Sequence, residues 1–293
     1  MSKPRLGYWK IRGLAAGMRQ QLAYCGVDYE MEEYAQEGPP NFSREPWLKH
    51  KFELGLDFPN LPYFIDGDVF ITESLAIHIY IADKWKPELL GSTPEERAFV
   101  NMLTGPLSKI KLDTTIPCYT GERPADIKKI IREHYPKILE TMGDNTFLAG
   151  DSPTYIDFFF FELINMNKWV MPTLFKEFPR LETYWNATRN LPGLKEYFDD
   201  PNCIDHNRQF NNTVAKLNNN VHYTVHYFPL HAKGEPLRLL LSHSGASFTD
   251  NVITFEDWPK FKPTMPQGVL PAVEVANGRK YGDSYPTSRW LGN

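Results

Sequence analysis

At 293 residues the chain exceeds the usual single-domain size, and 42% hydrophobic residues suffice for two or three packed cores. A formal net charge of -4 offers no basic field for a phosphate backbone or an anionic membrane, which argues against nucleic-acid and membrane partners. Cys25, Cys118 and Cys203 lie far apart with no CxxC pair, which excludes a disulfide framework and a zinc cluster, so no metal site is expected.

The opening, MSKPRLGYWKIRG, has no apolar signal core, and the most apolar run, Phe158 to Phe161, is closed by Glu162. A cytoplasmic protein is expected. Residues 4–10 (PRLGYWK) read as a strand and 15–25 as a helix ended by Gly26. After a loop rich in Gly, Pro and Glu, NLPYFID and VFIT read as a hairpin turning at Asp66-Gly67, followed by the helix SLAIHIYIADKW. That order in some eighty residues predicts a small sheet covered by helices. Beyond Pro94 the strand signals stop, and helix-period segments cover 94–118, 124–142, 154–170 and 178–190. Thr154-Tyr-Ile-Asp157 is a capping box at the start of a buried helix.

NRQFNNTVAKLNNN, residues 207–220, is rich in Asn and poor in large apolar side chains and reads as a linker. Beyond it VHYTVHYFPL is an alternating strand, GEPLRLLLSHSG a helix closed by Gly245, and LPAVEV a further strand. The chain starts its opening module again: Tyr8-Trp9 answers Tyr227-Phe228, Trp47 answers Trp258, and Leu61-Pro62 answers Leu270-Pro271. The expected domains are 1–90, 91–206, a linker at 207–220, and an incomplete module at 221–293.

Three blocks, LGYWKIRGLA, REPWLKHKFELGLDFPNLPYFIDG and ITESLAIHIYIA, match in order and spacing and together resemble mu-class glutathione transferases over about residues 4–200. The resemblance implies a thioredoxin-like α/β domain followed by an all-helical domain, and an enzyme that joins glutathione to apolar electrophiles, with glutathione as co-substrate and no other cofactor. In the family a tyrosine at the end of the first strand hydrogen-bonds the glutathione sulfur, and Tyr8 holds that place. A thiol of pKa near 8.5 needs ~2.7 kcal/mol of help to ionise two units lower. One charge-assisted hydrogen bond, about 1.5 to 3 kcal/mol, is of that size, and a phenol remains a donor at neutral pH.

The same resemblance gives each part of the tripeptide a partner. Trp47 and Lys51 would reach the glycyl carboxylate, with Asn60, Trp9 and Leu14 completing that wall. The Leu61-Pro62 bond, cis in the family, would present the Leu61 backbone to the cysteinyl unit as a strand would. Ser74, opening a helix, would take the γ-glutamyl carboxylate, and Glu73, where mu enzymes have glutamine, the ammonium. Taken singly, Trp47 and Lys51 read as surface packing and a solvated charge, and Ser74 as a helix cap. Tyr119, in IPCYTG, aligns with a tyrosine that assists some electrophiles, though a helix-end tyrosine also serves packing.

Some positions depart from the family. Lys109 stands where mu enzymes carry an acid that reaches the neighbouring subunit, and Ile79 stands where they carry an arginine, while Phe58 retains the aromatic knob of the dimer contact. A homodimer, or pairing with another transferase-fold chain, is implied. Residues 222–291 resemble the opening domain of a sigma-type glutathione transferase, with Tyr227 as thiol-binding tyrosine and Trp258, Lys262, Leu270, Pro271, Asp283 and Ser284 as pocket. In this module Pro286 is expected to interrupt the helix after Ser284, at a cost of ~3 kcal/mol. A second class of function stays open at this level: a transferase-fold scaffold with residual glutathione binding and no significant turnover.

Overall fold

The computed structural model describes residues 3–37, 43–120, 124–206, 222–243, 246, 248–275 and 278–291. The chain divides into two compact units, Met1–Ala215 and Lys216–Asn293. The linker segment 207–220 and the helix-closing Gly245 lie outside the described residues.

The first unit opens with a mixed sheet. Strand β1 (Arg5–Trp9) pairs in parallel with β2 (Glu30–Tyr34) and antiparallel with β3 (Tyr63–Asp66), which pairs with β4 (Val69–Thr72), giving the order β2-β1-β3-β4. The hairpin closes through Gly67 and Asp68, since Asp66 pairs with Val69, one residue later than the sequence reading placed the turn. Strand β2 falls in the stretch that reads as loop, because its sequence, EMEEY, is acidic and lacks apolar alternation. It forms because it needs only one partner, and the parallel β1 register from Arg5↔Glu30 to Trp9↔Tyr34 supplies it.

Helix α1 (Ala15–Tyr24) follows β1; α2 (Glu45–Leu48) is one turn within the long loop; α3 (Ser74–Trp85) follows the hairpin. Leu6, Met18, Leu22, Phe64, Ile77 and Ile81 bring the sheet, α1 and α3 into one core.

From α4 (Pro94–Thr120) onward the regular elements among the described residues of this unit are helices: α5 (Pro124–Met142), α6 (Tyr155–Val170), α7 (Leu174–Glu177), α8 (Pro179–Arg189) and α9 (Leu194–Asp199). Helix α6 is buried almost all round, Phe158 to Phe161 included, and makes contacts with α1, α3, α4, α5 and α8. Its start is fixed by the capping box: the Asp157 carboxylate accepts from the Thr154 N–H at 2.7 Å, the Leu148 N–H at 2.9 Å and the Tyr184 hydroxyl at 2.9 Å. These bonds hold an otherwise costly buried acid, whose pKa burial raises.

In the second unit β5 (Tyr223–Tyr227) pairs in parallel with β6 (Phe248–Val252) and antiparallel with β7 (Ala272–Glu274), which pairs with β8 (Lys280–Gly282). The order, β6-β5-β7-β8, and the strand directions repeat those of the first sheet. Helices α10 (Glu235–His243) and α12 (Ser284–Leu291) pack together, with α11 (Trp258–Phe261) between β6 and β7 in sequence. Val225, Leu237, Leu241 and Val273 form the core.

The expected interruption at Pro286 does not occur. Pro286 is the third residue of α12, and the helix's first bond is donated by Thr287 to Asp283 O at 3.3 Å. A proline in the first turn lacks an N–H that has no intrahelical acceptor in any case, so the interior penalty does not apply.

Candidate active site

Tyr8 sits at the end of β1, 6% exposed, with the chain turning beneath its ring through residues 10–14 into α1. Its Oη accepts the Leu14 backbone N–H at 3.0 Å. Gly13 has φ +45° and passes so close that a Cβ there would lie 2.5 Å from that hydroxyl. Burial, with smaller contributions that include Tyr119, pushes the Tyr8 phenol up to about 12. The hydroxyl is therefore a protonated donor throughout the neutral range.

The turn is held from below by charge. Arg12 donates two bonds to the Glu162 carboxylate of α6, one at 2.9 Å, and a third to Asp205 O at 2.8 Å. Arg19 pairs with the Asp205 carboxylate and donates to Ile11 O and Arg12 O at 3.2 and 3.3 Å, while Tyr197 donates to Asp205 at 2.7 Å. Lys111, on α4, donates to Gly13 O at 3.1 Å and lies 4.9 Å over the Phe159 ring. Burial lowers its pKa to about 8, with Glu162 opposing that shift and Arg12 adding to it.

Around this centre the other sequence-predicted residues fall as follows. Trp9 ends β1 half-buried, and Leu14 immediately precedes α1. Trp47 is 5% exposed, its ring packed against Tyr34 and Tyr63 at 5.2 and 6.1 Å, while the half-buried Lys51 ammonium lies 5.4 Å over Phe52. Asn60 is exposed; Leu61 and Pro62 are buried and joined by a cis peptide bond. Glu73, at φ 69°, precedes α3, and Ser74 is its first residue. Tyr119 occupies the last turn of α4, half-buried.

Two family models match the first unit, the glutathione S-transferase N-terminal domain over residues 4–83 and the C-terminal domain over residues 118–201. The class-mu 26 kDa isozyme 7 of Fasciola hepatica is 38% identical over 203 residues, which is 68% of this chain and 90% of that protein. Glutathione S-transferase Mu 1 of Bos taurus is 37% identical over 196 residues, 66% of this chain and 88% of the relative. The chain belongs to the glutathione transferase family. A solved pi-class glutathione transferase from Onchocerca volvulus superposes with TM-score 0.59 at 25% identity, over 68% of this chain and 93% of that one. The first unit accordingly has the transferase fold, a thioredoxin-like domain followed by a helical domain, and the activity class is glutathione transferase, EC 2.5.1.18, with glutathione as co-substrate. The family binds glutathione and electrophiles and forms dimers. Among the described residues no helix is long and apolar enough to cross a membrane.

Against the transferase pattern, Lys109 is exposed on α4 and pairs with Asp113 one turn on, at 2.6 Å, while Ile79 is partly exposed and Phe58 is 79% exposed. The IRGLA turn is visible in the sequence but its anchors are not, because Glu162 and Asp205 lie 150 and 186 residues from Arg12 and Arg19, which they bind. Lys111 was missed too; one legible signal was its place on the helix stripe of Leu107, Ile110, Thr114 and Cys118, all of them buried.

The second unit repeats the local geometry of the transferase turn. Tyr227, 6% exposed at the end of β5, accepts the Lys233 N–H at 3.2 Å, and Gly234 passes against its ring. Leu270–Pro271 is cis, and Asp283, at φ 70°, precedes Ser284, the first residue of α12. Trp258 is half-buried, 5.7 Å from the Phe228 ring, and Lys262 is exposed.

Proposed function

We propose that residues 1–90 bind glutathione, that residues 91–206 supply the wall for an apolar electrophile, and that the Tyr8 hydroxyl holds the attacking sulfur as thiolate. The observation that carries this is the Tyr8 hydroxyl itself: buried, kept protonated, and fixed by the Leu14 N–H so that its own proton is free to be donated. Trp47 and Lys51 take the glycyl carboxylate, with Trp9, Leu14 and Asn60 beside them. Leu61, before Pro62, pairs through its backbone with the cysteinyl unit. Ser74 and the first amides of α3 take the γ-glutamyl carboxylate, and Glu73 its ammonium.

Tyr119 lines the electrophile side, joined by Leu112 and Ile116, which are 58% and 53% exposed and share its helix face at three- and four-residue spacing. Exposed large apolar side chains on one helix face in a family of this activity suit an apolar second substrate. The exposed Phe58 supports a homodimer. The protein is proposed to act in the cytoplasm.

Residues 221–293 are proposed to be a second, incomplete thioredoxin-like module of sigma type, supported by its repeated strand order and by the Tyr227, Pro271 and Asp283 geometry. Tyr227, Trp258, Lys262, Leu270, Asp283 and Ser284 form its candidate glutathione site.

Replacement of Tyr8 by Phe tests the central reading. Loss of a bond of about 2 to 3 kcal/mol lowers turnover of a chloronitroaromatic electrophile by about 30- to 150-fold at neutral pH, with glutathione affinity retained. An unchanged rate, with the bound thiol's pKa unmoved, removes Tyr8 from this role.

A further inference from the structure

The turn between β1 and α1 presents two polar atoms of one peptide group to two different side chains. The Gly13 carbonyl oxygen accepts from Lys111 Nζ at 3.1 Å, and the Leu14 N–H, on the other end of the same amide, donates to Tyr8 Oη at 3.0 Å. Hydrogen bonds in series polarise one another, and an ammonium on the carbonyl makes the amide N–H a stronger donor. A phenol oxygen that accepts a stronger bond gives up its own proton more readily to an acceptor. We propose that Lys111 is a positioning residue for the thiol-activating hydroxyl, its ammonium polarising the Gly13–Leu14 peptide so that Tyr8 donates more strongly to the glutathione sulfur. The inference rests on the role given to Tyr8 above.

The surroundings favour a relay over a simple packing role. Lys111 is only 8% exposed, and among the described residues its Nζ has one recorded hydrogen bond, to Gly13 O. The carboxylate nearest in charge, Glu162, is already engaged by both Arg12 and Gln20. Arg12, Arg19 and Lys111 outnumber Glu162 and Asp205 in this buried cluster, so one positive charge is left without a matching carboxylate. An ammonium unmatched by a carboxylate is a poor device for stability and a useful one beside a site that must hold a sulfur anion.

The same burial gives the relay a pH limit. Glu162 of α6 opposes deprotonation of Lys111 and Arg12 of the turn favours it, while His78 of α3, lowered to about 3 by burial and by Lys111, is neutral in the working range. Lys109 and Asp113 on α4 pair with each other in a more exposed position. With its pKa near 8, Lys111 loses its proton as pH rises through that value, and the assistance fades in the range where an unassisted thiol begins to ionise on its own.

The test compares Lys111→Met, Lys111→Arg and Tyr8→Phe in the full chain. The titration of enzyme-bound glutathione is followed by thiolate absorbance, alongside glutathione affinity and the pH profile of kcat/KM. Lys111→Met is expected to lower the bound thiolate fraction at neutral pH by roughly three- to ten-fold, with affinity unchanged. Lys111→Arg, which keeps the positive charge on the Gly13 carbonyl, restores it. If Tyr8→Phe shifts the thiol titration and Lys111→Met does not, the relay is refuted while the Tyr8 reading stands. If neither shifts it, both fall. Should Lys111→Met fail to fold, Lys111→Gln takes its place, removing the charge while keeping a polar side chain: a thiol titration unmoved by Lys111→Gln but shifted by Tyr8→Phe overturns the proposal.

Discussion

Gly13→Ala is the smallest change that probes the site from the backbone. At φ +45° an added Cβ costs about 1 to 2 kcal/mol for the left-handed conformation alone. The methyl group would also stand 2.5 Å from Tyr8 Oη and 2.6 Å from Cε1, where ordinary contact begins at 3.4 Å, so the hydroxyl must retreat by about 0.9 Å. Overpacking of that kind adds about 1 to 3 kcal/mol, and a misplacement near 1 Å in a catalytic group costs on the order of 100-fold in rate. Gly26→Ala is the matched control, since Gly26 has φ +67° and nothing within 4 Å of its would-be Cβ. The expected result is a melting temperature lowered by roughly 5 to 15 °C with turnover falling about 100-fold for Gly13→Ala, against roughly 2 to 8 °C with full activity for Gly26→Ala. Circular dichroism melts and turnover of a chloronitroaromatic electrophile measure both. A folded Gly13→Ala protein with wild-type turnover, or equal destabilisation by the two changes, would refute the close approach of Gly13 to the Tyr8 hydroxyl.

Asp205→Asn leaves Arg19 buried beside a neutral partner and is expected to destabilise by about 3 to 5 kcal/mol in urea unfolding at pH 7. Burial alone would raise the Asp205 pKa, but Arg19 and Arg12 outweigh it and hold the carboxyl below 3.8; its stabilisation is present above about pH 4 and is lost as pH falls through the folded value, so a stability gap already closing between pH 7 and 5 would contradict the pairing. Truncation after Ala215 is expected to leave turnover intact and to reduce the glutathione bound per chain from two to one by calorimetry. Lost turnover in a folded truncated protein would count against the proposed self-sufficient catalytic unit, and a full-chain stoichiometry of one against the second site.

Sequence alone determined the parts that depend on local pattern. Periodicity at 3.6 residues marked α4, α5, α6 and α8 to within two residues at their ends, and the Thr154-Asp157 capping box marked the start of α6. Three blocks in order identified the family, because matches in order and spacing at separated places are far more specific than a lone motif. What escaped was set by partners distant in the chain. EMEEY and FTDNV lack a strand's alternation and become strands because β1 and β5 offer each a free edge. Pro286 looked like a helix breaker until the helix start at Ser284 put it in the one turn that tolerates it. The support of the Tyr8 turn comes from α4, α6 and the segment around Asp205, brought together only when α6 buries its phenylalanines against α1. Local propensity records what a segment can do by itself, whereas the charge pairing and the Lys111 contact exist only where folding has excluded the water that would otherwise solvate those ions.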